Sequence, residues 1–81
     1  MPKFYIHFLS NQGLANDPEG TDFPSLADAR GQALVSAREL IANDIKAGSA
    51  RALEAVIIAD ERGHVLTTIP ADSALPASLR G

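Results

Sequence analysis

Ser25-Leu26-Ala27-Asp28-Ala29-Arg30-Gly31-Gln32-Ala33-Leu34-Val35-Ser36-Ala37-Arg38-Glu39-Leu40-Ile41-Ala42-Asn43-Asp44-Ile45-Lys46-Ala47 carries apolar side chains at helical spacing, and it decides the fold. At roughly 100° per residue, Leu26, Ala29, Ala33, Leu34, Ala37, Leu40, Ile41 and Ile45 share one broad face. Asp28, Gln32, Ser36, Glu39, Asn43 and Lys46 lie opposite. The alanines let such a helix lie close to a sheet. Ser25 is a good N-cap, and Asp28 three residues on makes a carboxylate version of the capping box. Pro24 discourages an earlier start. Gly31 costs about 1 kcal/mol relative to alanine, but it falls on the polar side. Gly48 marks the end.

Upstream, Lys3 to Leu9 is rich in aromatic and branched residues and reads as a strand. Phe4, Ile6 and Phe8 share an apolar face, and Tyr5, His7 and Leu9 share the other. Ser10 to Pro24 reads as a loop. Asn11-Gln12-Gly13 and Asp17-Pro18-Glu19-Gly20 are turn sequences. Thr21-Asp22-Phe23 reads as a short edge strand returning along the first, with Phe23 as an anchor.

Downstream, Leu53–Asp60 and His64–Pro70 read as a hairpin. Asp60-Glu61-Arg62-Gly63 suits a type I turn with a glycine bulge. That turn pairs Asp60 with His64, Ile58 with Leu66 and Val56 with Thr68. It places Val56, Ile58 and Leu66 on one face, and Leu53, Ala55, Ile57, Val65 and Ile69 on the other. Both faces are apolar, so one helix leaves one face bare. A second subunit is the simplest cover. Residues 71–81 read as a loosely ordered tail on a domain of residues 1–70, with Asp72 capping one turn over Ser73-Ala74-Leu75 and Pro76 ending it. The expected fold is α+β: a mainly antiparallel sheet of three to four strands, with one long helix on one face. The loop lengths favour a first strand antiparallel to Leu53–Asp60. A right-handed parallel crossover is the alternative.

An 81-residue chain is one domain, and it buries only about 60% of its unfolded surface. With no cysteine, neither disulfides nor thiolate metal sites reinforce that thin core. The net charge of −3 argues against a nucleic-acid module. The basic residues, Lys3, Arg30, Arg38, Lys46, Arg51, Arg62 and Arg80, are scattered. The apolar start at Phe4-Tyr5-Ile6 is broken by His7, so no signal peptide is expected. No stretch approaches the roughly 20 apolar residues of a membrane span. A cytoplasmic protein is expected.

Few residues suggest chemistry. There is no glycine-rich phosphate loop, and no cofactor or metal is implied. His7 and His64 are the only histidines. A hydrolytic site built on His7 would need a nucleophile such as Ser10, which sits on no nucleophile elbow. His7 reads better as a strand residue at a sheet surface, and His64 as a partner of Asp60 across the turn. Two histidines lack a third ligand at helpful spacing. The acidic stretch Asn16 to Asp22 resembles a calcium loop only loosely, because Pro18 and the spacing break that pattern. It reads better as a solvated turn. Arg30 is expected to snorkel or to pair with Asp17, Glu19 or Asp22. Asp44 is expected to cap a backbone group or to meet Arg51. Tyr5, His7, Ile57 and Val65 are expected together on the face away from the helix, as the candidate interaction surface.

Phe4-Tyr5-Ile6-His7-Phe8, then Glu19-Gly20, Phe23-Pro24, Leu26 and Ala29-Arg30, then Ile58-Ala59-Asp60-Glu61, Gly63, Val65-Leu66 and Ile69-Pro70, carry a resemblance. In order and spacing they resemble a family of small uncharacterised proteins common in rhizobia and related alpha-proteobacteria. The resemblance spans the chain up to Pro70. It implies a cytosolic bacterial setting and the strand–helix–hairpin layout. It also implies that Val56, Ile58 and Leu66 face the helix, with Ile57 on the spare face. It carries no activity, cofactor or partner.

The expected function is therefore a non-catalytic protein-interaction or regulatory module acting as a homodimer. A nucleic-acid-associated regulator of antitoxin type is the second reading. A small hydrolase-like enzyme is the third.

Overall fold

Alternating apolar side chains make Lys3–Ser10 the strand β1. The computed structural model describes residues 1–74. β1 turns at Asn11-Gln12 into β2, Gly13–Ala15, and a further short strand β3, Thr21–Asp22, pairs nearer the start of β1. The helix α1, Leu26–Ala47, follows. β4, Leu53–Ala59, and β5, Val65–Pro70, complete a five-stranded sheet in the order β2-β1-β4-β5, with β3 beside β2's edge of β1. Every pairing is antiparallel. The fold is α+β as expected. The strand count is higher because the return path after β1 pairs twice.

Two bulges set the faces of β4 and β5. At the turn the expected register holds: Asp60 N–H donates to His64 O at 3.0 Å, and Gly63 N–H to Asp60 O at 3.0 Å. Ala59 then pairs with Val65 but Ile58 with Thr67, leaving Leu66 as the extra residue. A one-residue insertion reverses every side chain beyond it. Ile69 therefore stands opposite Val56 and is 2% exposed, while Leu66 is 42% exposed. This corrects the expected placement of both. On the other side of β4, Leu9 pairs with Ala55 but Ser10 with Leu53. That irregularity turns Leu53 to the helix side, where it packs against the core.

The core lies between the sheet and α1. Val56, Ile58 and Ile69 are its largest fully buried side chains. Each contributes about 1.5–3 kcal/mol by leaving water. Ala29, Ala33 and Ala37, four residues apart, form a fully buried ridge that brings α1 close to β4 and β1. The apolar face is narrower than its eight residues promise. A helix of 22 residues is about 33 Å long, and a strand of 7 residues about 23 Å. Ile45, expected in the core, is accordingly 74% exposed. Phe23 anchors the approach to α1, its ring centroid 6.1 Å from that of Phe4.

Ser25 caps α1 by accepting the Asp28 N–H at 3.3 Å. The Asp28 side chain, one methylene shorter than glutamate, accepts from the Ser25 hydroxyl at 2.9 Å, where a full capping box would reach the backbone. At the other end Gly48 caps α1, and Asp44 forms an ion pair with Arg51. Asn11 sews the next connection to the sheet: its side chain donates to Ala50 O at 3.1 Å and accepts from Ala52 N–H at 2.9 Å. After β5, Ala71–Ala74 form one 3-10 turn, with Ala74 buried in the core and its carbonyl accepting from Arg38 Nε at 2.7 Å. The remaining tail residues, including Leu75 and Pro76, lie outside the described residues. Among the described residues, no helix is long and apolar enough to cross a membrane.

Candidate interaction face

Strand alternation turns Tyr5, His7 and Leu9 away from α1, and the ladder aligns them across three strands. Tyr5 pairs with Ala59, which pairs with Val65. His7 pairs with Ile57, which pairs with Thr68. Leu9 pairs with Ala55, which pairs with Pro70. Tyr5, His7, Ile57 and Val65 therefore lie together, as their spacing predicts. Val65 is 61% exposed, and the other three are half-buried. Ala59 is buried yet stands outside the helix-side core, covered by its neighbours on this face.

Residues 16–20, between β2 and β3, rim this face, and Asp17 holds them there. Its N–H donates to His7 Nδ1 at 2.9 Å. Its Oδ2 accepts from Ile6 N–H at 3.2 Å, an amide that falls between the β2 and β3 pairings of β1. Its Oδ1 accepts from Glu19 N–H at 3.3 Å and Gly20 N–H at 3.0 Å. Burial opposes ionisation of this carboxyl. Donation from the amides of Gly20, Ile6 and Glu19, with a smaller effect of His7, outweighs burial and holds the group below its ordinary value. Gly20 has φ +73°, and a Cβ there would lie 2.8 Å from Lys3 Cγ and 2.9 Å from Tyr5 Cε2. The loop thus rests on the edge of the same face. Residues 16–22 are more than the solvated turn that their composition suggests. The Asp-x-x-Gly spacing is the only local signal of Asp17's role.

The groups a hydrolytic site would need are not brought together. Ser10 and His7, three apart on one strand, point to opposite faces. The Ser10 hydroxyl donates to Gly13 O at 3.3 Å and accepts from Gln12 N–H at 3.1 Å, inside its own turn. His64 stands at the hairpin tip, 3.7 Å from Asp60. Asp60 is three residues beyond His7's partner Ile57, about 10 Å along β4. The Asp60 carboxyl is lowered chiefly by the His64 amide, then by that of Arg62 and the nearby charges. Among the described residues, no three potential ligands converge on a metal position. Arg30 is exposed and, among the described residues, forms no ion pair with Asp17, Glu19 or Asp22.

On the helix side, α1 leaves the β2 edge of β1 partly open. An open groove of about 530 Å³ runs there, lined by Ile6, Phe8, Ala15, Thr21 and Phe23, by Asn16 and Asp17 where the loop crosses the sheet edge, and by Gln32 and Ser36 of α1. Only the packed helix reveals this groove, because it depends on where α1 crosses the sheet.

Comparison with curated proteins and with solved structures gives no match. The family described as Domain of unknown function (DUF6894) matches residues 3–72, from the first residue of β1 into the 3-10 turn. With all five strands and α1 inside that match, the chain belongs to the DUF6894 family.

Proposed function

We propose that this chain is a non-catalytic interaction module that works as a homodimer, joined through the face of the sheet opposite α1. The observation that carries this reading is the row-by-row alignment of Tyr5, Ala59 and Val65 with His7 and Ile57 on a face that no described helix crosses. A face of this kind can be self-complementary about a two-fold axis. A small chain without cysteine gains from such pairing. An interface of standard size takes about 800 Å² per partner. Of the 5114 Å² of accessible surface, such a contact takes about a sixth. A non-catalytic role agrees with the side chains of His7 and Ser10 being committed to the backbone. The nucleic-acid reading has less support, with a net charge of −3 and Arg51 held by Asp44.

Light scattering and sedimentation equilibrium of the pure protein test the proposal. A dimer is expected, and Ile57→Lys is expected to be a folded monomer by circular dichroism. A wild-type chain that stays monomeric at high concentration overturns it. An Ile57→Lys variant that still dimerises moves the contact off this face.

A further inference from the structure

The bond from Asp17 N–H to His7 Nδ1 requires a lone pair on that nitrogen, so the neutral ring carries its proton on Nε2. A proton on Nδ1 would set two donors against each other. The loop cannot absorb this locally, because Asp17 is also where Ile6, Glu19 and Gly20 attach. We infer that His7 is a proton-operated latch for residues 16–20, and that through this loop the sheet face senses pH. The second half rests on the proposed homodimer.

The charged groups around the ring favour a switch over simple loosening. The loop contributes the carboxylates of Asp17 and Glu19. β1 contributes Lys3 and the titratable phenol of Tyr5 on the same side, and β3 contributes the carboxylate of Asp22 opposite Lys3. β4 presents only Ile57, with Ala55 and Ala59 diagonally placed, and β5 presents Thr68. β2 presents no charged group, its residues being Gly13, Leu14 and Ala15. An imidazolium is therefore drawn to the Asp17 carboxylate. Both carboxylate oxygens are already engaged by amides. Oδ1 already accepts two amides and Oδ2 one, so the imidazolium competes at Oδ2 with the Ile6 N–H and draws the carboxylate out of its present setting. The acid form thus has a different loop arrangement, and Gly20 lifts from Lys3 and Tyr5. In the dimer it also sets a charge, and its two-fold copy, on a face meant to exclude water. Both effects weaken association as pH falls.

Amide and imidazole NMR of the full chain from pH 8 to 5 reads the latch in the protein itself. The Nε2–H tautomer is expected at pH 8. The Asp17, Ile6 and Gly20 amides are expected to shift with the His7 titration, and Ile6 and Gly20 to lose exchange protection. An Nδ1–H tautomer at pH 8, or an Asp17 amide indifferent to His7, overturns the latch. His7→Asn keeps an acceptor, because Asn Oδ1 stands where Nδ1 does, and it cannot titrate. It is expected to hold the loop at both pH values. Sedimentation of both proteins reads the second half: weaker association at pH 5 for wild type, and no change for His7→Asn. Equal association of wild type at both pH values overturns the pH control. A monomer throughout defeats the homodimer reading and leaves the NMR result to decide the latch.

Discussion

Asp44 and Arg51 clasp the end of α1 to the start of β4 through two parallel bonds, Nη2 to Oδ1 at 2.6 Å and Nε to Oδ2 at 3.1 Å. Asp44 sits at the unfavourable end of the helix dipole, and the forked guanidinium supplies the charge that makes it tolerable. The Asp44 carboxyl is lowered from its ordinary 3.8, chiefly by the Arg51 hydrogen bond.

Acid should therefore destabilise the fold. Asp17, Asp44 and Asp60 all have carboxyls held below 3.8. A carboxyl whose folded value is depressed stabilises above its unfolded value, and that stability is lost as pH falls through the folded one. Thermal midpoints are expected to be flat with respect to these groups above about pH 5 and to fall below it. Asp44→Asn is expected to lower the midpoint at neutral pH and to flatten the acid limb. A midpoint that rises on acidification from pH 5 to 3 contradicts this.

The bulge at Leu66 makes a contrast between near neighbours. Ile69→Ala empties a fully buried site and is expected to cost about 2–5 kcal/mol. Leu66→Ala removes an exposed side chain and is expected to cost about 0.5 kcal/mol or less. Urea unfolding measures both. Equal losses would restore the register without the bulge.

Two glycines share a left-handed conformation and differ in surroundings. At Gly63, φ is +82° and nothing lies within 4 Å of where a methyl group would stand. Gly63→Ala is expected to cost the backbone strain alone, about 1–2 kcal/mol. Gly20→Ala adds collisions with Lys3 Cγ and Tyr5 Cε2, so its loss should be larger. Chemical shifts of Tyr5 should move only in the Gly20 variant.

Asn11 bridges the loop after α1 to the end of β1, and removing its amide leaves the Ala50 carbonyl and the Ala52 N–H to water. Asn11→Ala is expected to cost about 1–3 kcal/mol, at about 0.5–1.5 kcal/mol for each of its two bonds. Hydrogen exchange should quicken at Ala52 before it does at the core amide of Ile58.

Much of the fold is legible in the sequence because the signals are local. Ser25 and Gly48 mark the ends of α1, and Gly63 marks the hairpin turn. The alternation of Phe4, Ile6 and Phe8 against Tyr5 and His7 places the candidate face. Alternation cannot show where an extra residue enters a ladder, so Leu66 and Ile69 exchange places, and Leu53 changes side. β2 escapes a sequence reading because Leu14 and Ala15 are short and exposed, and only pairing with β1 makes them a strand. The role of Asp17 depends on His7 and Ile6, ten and eleven residues away, and no local pattern encodes that meeting.

The split outer edge has a consequence for growth. On that side β2 and β3 are short, and the Asp17 carboxylate plugs the Ile6 amide between them, so an incoming chain finds no continuous row of donors and acceptors. On the other side, among the described residues, no strand pairs with the outer edge of β5. Among the described residues, strand addition can therefore begin only at β5, and it meets no second continuous border on the far side of the sheet.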